Sequence, residues 1–249
     1  MLRRVFRGAG FAALTAGAGA GVIVGVELAT GDAAKAVARD RWSGAWSRAL
    51  LRLFAVELIV TGDARAGGDA RVVVSNHRSI IDIAVLLSLF GGAMVSRGDM
   101  EHWPIMGRAA KGAGTIFVDR GNKKSGAQAI QAMVERLGKR DTVCLFPEGT
   151  TFVDDEVRPF KPGAFVAATQ AGVPVVPVAI VYPLDSGAAF GGESFLHHLA
   201  RLADTKHTRV HVEIGAAMRP TEGEALPAFT ERVRGEVARL MSIGRAKKP

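Results

Sequence analysis

The run Val72-Val73-Val74-Ser75-Asn76-His77-Arg78-Ser79-Ile80-Ile81-Asp82 decides the fold. Three β-branched apolar residues in succession have the composition of a strand buried on both faces, as in a parallel sheet covered by helices on either side. Polar residues follow at once, and then residues 80–90 form a continuous apolar stretch long enough for a buried helix, closed by Gly91-Gly92. A strand that runs directly into a helix puts the intervening polar residues at its carboxyl end, where α/β sheets hold ligands.

Working outward, short β-rich runs occupy 56–60, 93–96, 115–118, 142–146, 174–181 and 209–214, and helical patterns lie between several of them. Pro104 opens a short helix over 104–111 that Gly112 and Gly114 interrupt. Ser125 with Gln128 reads as a capping box ahead of a stripe of Ala127, Ile130, Val134 and Leu137, closed by Gly138. Pro162 starts a helix that Gly172 ends, and Thr221 with Glu224 reads as a second capping box before Leu226, Phe229, Val233, Val237 and Leu240. This alternation predicts a three-layer α/β domain over residues 56–249, with a central mostly parallel or mixed sheet flanked by helices.

Residues 1–55 read as a separate membrane-associating helical segment. No charged residue occurs from Gly8 to Val26, a length that approaches the thickness of a bilayer core, so the stretch suits a span or a shallow, re-entrant anchor. Gly17, Gly21 and Gly25 recur every fourth residue, the spacing that lets another helix approach closely. Arg3, Arg4 and Arg7 ahead of the run, with Ala18 and Ala20 within it, also fit a cleaved secretory signal. Next, Trp42, Trp46, Leu50 and Phe54 recur at i+4 among Arg39, Arg41, Arg48 and Arg52, which suits a helix lying at the headgroups of an anionic membrane or one packed on the domain.

With 48% hydrophobic and 22% charged residues, the 249-residue chain is neither disordered nor fibrous. Its 32 Lys+Arg against 24 Asp+Glu give a net charge of +8, which suits an anionic partner such as anionic lipid or a phosphorylated substrate. Nucleic acid is disfavoured by the 6% aromatic content and the absence of a binding motif among the basic residues. One cysteine, Cys144, excludes an intrachain disulfide and a multi-cysteine zinc site, and its apolar neighbours mark it as a core thiol.

The chemistry centres on His77 and Asp82. A histidine accepts a proton near neutral pH, and a carboxylate one helical turn on can fold back to the second ring nitrogen and set the tautomer. Alternatively, Asp82 merely favours the positive end of the helix and His77 is a satisfied surface side chain. No Gly-x-Ser-x-Gly elbow supplies a nucleophile, so the third member of such a set would be a hydroxyl of the substrate. Backbone amides at the start of the following helix are candidate oxyanion donors. Three further runs, Gly114-Thr115-Ile116-Phe117-Val118-Asp119-Arg120, Phe146-Pro147-Glu148-Gly149-Thr150 and Val175-Val176-Pro177-Val178-Ala179-Ile180, place polar or turn residues at the edge of a strand, and the three are expected to converge on one cleft. Arg120 offers a planar fork for phosphate, and Glu148 an acceptor beside Gly149, where backbone can approach a ligand. His197 and His198 read as loop residues rather than metal ligands, and no metal or cofactor is implied.

Four blocks in order, Asn76 to Asp82, Gly114 to Arg120, Phe146 to Thr150 and Val176-Pro177-Val178, resemble the glycerolipid acyltransferases typified by the 1-acyl-glycerol-3-phosphate acyltransferases. The resemblance implies transfer of a fatty acyl group from acyl-CoA or acyl carrier protein to a lysolipid hydroxyl, on the cytoplasmic face of a membrane. It implies that His77 is the base, Asp82 its partner, and Arg97, Arg120, Glu148, Gly149 and Thr150 part of the acceptor site. Many members that form phosphatidic acid carry an arginine where this chain has Thr151. Arg158 and Lys161 are the nearby cations that could replace it. Lysophosphatidic acid is the first acceptor expected, with lyso-ornithine lipid the alternative. An acyl thioester hydrolase and a non-catalytic lipid-binding protein are the rival classes.

Overall fold

The computed structural model describes residues 2–119 and 121–247. Among them, seven strands form one sheet: β1 (Val56–Thr61), β2 (Arg71–Ser75), β3 (Ala93–Arg97), β4 (Ile116–Val118), β5 (Thr142–Leu145), β6 (Val175–Val181) and β7 (Thr208–Ile214). Their spatial order is β1-β7-β6-β2-β5-β3-β4, and every neighbouring pair is parallel except β6 with β7. The sheet is therefore mixed. β2 lies between β5 and β6, with Val72 opposite both Val143 and Val175. That central place explains the unbroken Val-Val-Val, all of it buried.

Alternation along each strand sorts the core into two halves. Val73, Val176, Val178, Val210 and Val212 face one helical layer and pack with Phe11, Leu50, Phe54, Leu86 and Leu202. Val72, Val74, Val175 and Ala179 face the other, with Met133, Leu137, Phe165, Phe229 and Val237. The first layer consists of α1 (Leu2–Leu28), α2 (Asp32–Leu53), α3 (Ile81–Phe90) and α7 (Phe195–Asp204), with α4 (Met106–Gly112) packed against α1. The second consists of α5 (Lys123–Gly138), α6 (Gly163–Ala171) and α8 (Leu226–Ala246). The expected three layers are present.

Several local expectations are corrected. The side chain of Asn122, rather than Ser125, caps α5, accepting the amides of Lys124 and Ser125 at 2.9 and 3.3 Å. Ser125 Oγ is occupied with the amide of Asp119, and the buried stripe is Ala129, Met133 and Leu137, with Ala127 exposed. Thr221 and Glu224 do bond one another, but in a turn ahead of α8, whose N-cap is Ala225. His197 and His198 lie in α7, a helix rather than a loop, whose N-cap Ser194 accepts the amide of His197.

Residues 2–53 share the core of the sheet domain. α1 is long and apolar enough to cross a membrane by length and composition, yet Phe11, Thr15, Gly19 and Val22 are buried against the protein. Its leading arginines satisfy the carboxyl end of α7: Arg3 donates to the carbonyl of Asp204 at 2.9 Å, Arg7 to that of Thr205, and Arg4 pairs with the Asp204 carboxylate. The helix runs unbroken through Ala18 and Ala20, and cleavage there would remove Phe11 and Thr15 from the core. Of the side expected to face lipid, Leu50 and Phe54 are buried on the domain and Trp46 packs against its core, while Trp42 remains 37% exposed. Of the spaced glycines, Gly21 and Gly25 accommodate Trp42, whereas Gly17 meets nothing. A different glycine, Gly19, brings α1 against Ala109 of α4.

Gly17→Ala should therefore leave stability unchanged or raise it by about 0.5–1 kcal/mol through helix propensity. Gly19→Leu should lower it, because a Cβ there already lies 2.9 Å from that of Ala109. Thermal melts in detergent would measure both, and equal responses would contradict the packing of α1 on α4.

Candidate active site

The site is built where β2 ends. Asn76 is fully buried and its amide both donates to the carbonyl of Ile180, at 2.9 Å, and accepts its N–H, at 2.8 Å. One side chain thus continues the β2–β6 pairing while the main chain turns away, which delivers His77 to the surface at the carboxyl end of the strand. Phe146, following β5, stacks flat on the imidazole with ring centres 3.9 Å apart. Two neighbouring strands therefore orient one ring.

Asp82, in the first turn of α3, is fully buried. Its Oδ2 lies 2.8 Å from His77 Nδ1 and accepts the amides of Arg78 and Ser79 at 2.6 and 2.8 Å. Its Oδ1 accepts the hydroxyl of Tyr182. These donors and the N-terminus of α3 complement the negative charge of a carboxylate. With Nδ1 of His77 turned to that carboxylate, Nε2 is the ring nitrogen left for a substrate. The Tyr182 hydroxyl is pushed well above its ordinary range by burial and by the Asp82 charge, so it remains a donor.

The amides of Arg78 and Ser79, at the start of the helix and expected as oxyanion donors, are occupied by Asp82. Glu148 is also placed differently from expectation. Its carboxylate is buried and accepts the His77 amide at 2.7 Å, the Arg78 guanidinium at 3.0 Å and the Arg158 amide at 3.0 Å. It braces the His77 backbone from within the protein. Gly149, at φ +83°, is approached not by a ligand but by the Lys161 side chain, which lies where a Cβ would be. Thr150 is exposed, and the amide of Phe152 just beyond it donates to the His77 carbonyl at 3.1 Å.

Arg97, at the end of β3, is exposed and ion-paired with Asp99 at 2.6 Å. Arg120 lies outside the described residues. Arg158 is engaged by Asp154 and Glu156, leaving Lys161 as the cation over the Gly149 turn. Burial pushes the Cys144 thiol far up, in keeping with a core residue. Sequence reasoning missed Tyr182, Arg78 and the stacking of Phe146. The Val176-Pro177-Val178 block proves to be the middle of a buried strand.

A largely apolar cavity of about 180 Å³ opens beside His77 and Phe146. Thr15, Gly19 and Val22 of α1, Trp42 and Trp46 of α2, Met94 of β3 and Met106 and Ala109 of α4 line it, and Arg97 lies on its wall. The close helix approach at Gly19 thus forms part of the wall of the same pocket that the imidazole lines.

Removing Glu148 leaves the Arg78 guanidinium buried without its partner, so Glu148→Ala should destabilise by about 3–5 kcal/mol. Tyr182→Phe removes one hydrogen bond to a charge and should cost about 1.5–3 kcal/mol. Denaturant unfolding measures both, and the order of the two losses is the test.

Residues 57–181 match the family model described as Acyltransferase. Lyso-ornithine lipid O-acyltransferase of Pseudomonas aeruginosa is 32% identical over 214 residues, spanning 84% of this chain and 81% of that protein. The 1-acyl-sn-glycerol-3-phosphate acyltransferase of Neisseria meningitidis is 24% identical over 69% of each chain. Among solved structures, the 1-acyl-sn-glycerophosphate (LPA) acyltransferase PlsC of Thermotoga maritima superposes with a TM-score of 0.79 at 20% identity, covering 98% of this chain and 95% of that one. The fold is common to both.

Proposed function

This chain belongs to the acyltransferase family, and from that premise we propose that it transfers a fatty acyl group from acyl-CoA or acyl carrier protein to the free hydroxyl of a lysolipid. The observation that carries the reading is a histidine whose Nδ1 is held by a buried carboxylate while the ring borders a largely apolar cavity. That cavity suits an acyl chain, and the Nε2 lone pair suits a hydroxyl.

In the proposed reaction Nε2 of His77 takes the acceptor's hydroxyl proton as the oxygen attacks the thioester carbonyl. The tetrahedral intermediate collapses, the carbon–sulfur bond breaks, and the imidazolium returns the proton to the leaving thiolate. Asp82 stabilises the imidazolium and keeps its own charge. The thioester brings its own activation, so the step calls on no metal or cofactor.

For the acceptor, the higher identity and wider coverage of the lyso-ornithine lipid enzyme favour a lyso-ornithine lipid. The engagement of Arg97 and Arg158 by carboxylates points the same way, since neither is left as an uncompensated cation for a phosphate. Lysophosphatidic acid is the second reading, favoured by Lys161 beside Gly149 and by the similarity to the Neisseria enzyme. We place the reaction at an anionic surface of the cytoplasmic membrane, with the sheet domain facing the cytoplasm. The exposed Phe6, Val24 and Leu28 of α1 support contact with lipid.

A labelled long-chain acyl donor, as CoA or carrier-protein thioester, offered with lyso-ornithine lipid, lysophosphatidic acid or no acceptor should yield product only with an acceptor. His77→Ala should lower turnover by about 10²–10⁴-fold. Release of free fatty acid regardless of acceptor would make the protein a hydrolase instead. Ala110→Phe, at the cavity wall, should shift preference toward shorter acyl chains, read by competition between donors of different length.

A further inference from the structure

A second histidine, His198, lies fully buried on α7 and takes no part in the proposed reaction. Its Nδ1 is 2.9 Å from Glu193 Oε1 and its Nε2 is 3.3 Å from Ser79 Oγ. Ser79, also fully buried, is one of the two residues whose amides hold Asp82 Oδ2. The other is Arg78, whose carbonyl accepts the amide of Phe190 at 2.7 Å. Phe190 and, from α7, His198 thus fasten this part of the chain to the turn before α3 at two consecutive positions. Arg201 ties the same segment through the carbonyls of Gly187 and Ala189 and through the Glu193 carboxylate.

The proton arrangement follows from these partners. Glu193 only accepts and Arg201 only donates, and both lie 2.9 Å from His198 Nδ1. With the proton on Nδ1 the carboxylate receives both groups and the lone pair falls on Nε2, where the Ser79 hydroxyl, which also lies within reach of the Tyr182 oxygen, donates to it. Burial lowers the proton affinity of His198, Arg201 adds to this, and Glu193 and Asp82 oppose it, so the neutral ring is favoured at neutral pH.

Ser79 and His198 have the spacing of a nucleophile and its base, but neither is exposed to substrate. We propose that Glu193 and His198 are positioning residues for the His77–Asp82 pair, acting through Ser79. By fixing the Ser79 side chain they hold its amide on Oδ2 of Asp82, and so hold the carboxylate on Nδ1 of His77. The proposal rests on the reading of His77 as the base.

In acyl transfer, His198→Leu should lower kcat about tenfold with KM for the lysolipid within about twofold, since misplacing an orienting group affects the reaction more than binding. His198→Gln, whose amide oxygen reaches the place of Nε2, should restore kcat to within about threefold of the unsubstituted protein. Ser79→Ala should lose as much as His198→Leu, and the double variant no more than either, because the two act in one path. Unchanged melting temperatures separate this from loss of fold, and Ser79→Ala carries the kinetic test if His198→Leu does not fold. Independently of any substrate, ¹⁵N spectra of labelled histidine at pH 7 should show, in the resonances that His198→Gln removes, a neutral ring protonated on Nδ1. A ring protonated on Nε2, a charged ring, additive losses or a His198→Leu variant with full kcat would overturn the proposal. Absence of acyl transfer by the unsubstituted protein would instead remove the functional reading, and the ring spectrum would still decide the proton arrangement.

Discussion

A carboxylate buried without compensation would take up a proton or unfold its surroundings, so the burial of Asp82 sets conditions that many other parts of the chain meet. Two amides come from the turn before α3, a hydroxyl from the end of β6, and the imidazole from the end of β2. Meeting those conditions joins the central strand, its following helix and the neighbouring strand at one point. The same arrangement leaves a single basic nitrogen on the solvent side. Stability and chemistry thus draw on the same four donors.

A second buried charge supports the first. Glu148 binds the backbone of His77 and the side chain of Arg78, so the turn carrying the imidazole is gripped from β5 as well as from β6. Asn76 adds a neutral clamp on Ile180. These contacts fix the backbone, while the His77 side chain retains about 17% exposure. The ring can therefore meet substrate without the turn being free to move.

What the sequence made legible follows from the range of the interactions involved. The valine run before Asn76, the apolar helix after Ile80 and the glycine that ends α6 are written in neighbouring residues, and each was readable. His77 and Asp82 lie five positions apart, so their pairing was also within reach of local reasoning. Tyr182 comes a hundred positions later and meets Asp82 only because β6 lies beside β2. Glu148 stands out locally only for its glycine neighbour; its partner Arg78 is seventy positions away, and nothing near it in sequence marks a buried ion pair. The capping of α5 failed for a smaller reason: Asn122 and Ser125 both suit an N-cap, and which of them takes the role depends on Asp119 engaging the other.

The sheet also carries a demand on the order of assembly. β1 leaves the ribosome early but pairs only with β7, Val56 against Thr208, and the arginines at the start of α1 find their carbonyl partners at the end of α7. The two contacts span about 150 and 200 residues, which at synthesis rates of about 5–20 residues per second is a delay of roughly eight to forty seconds. During that interval α1 has its apolar surface uncovered by α7, and β1 has an open edge on both sides. A membrane within reach of the nascent chain would shelter that helix before the rest of the protein exists to do so, so contact with lipid can precede completion of the fold.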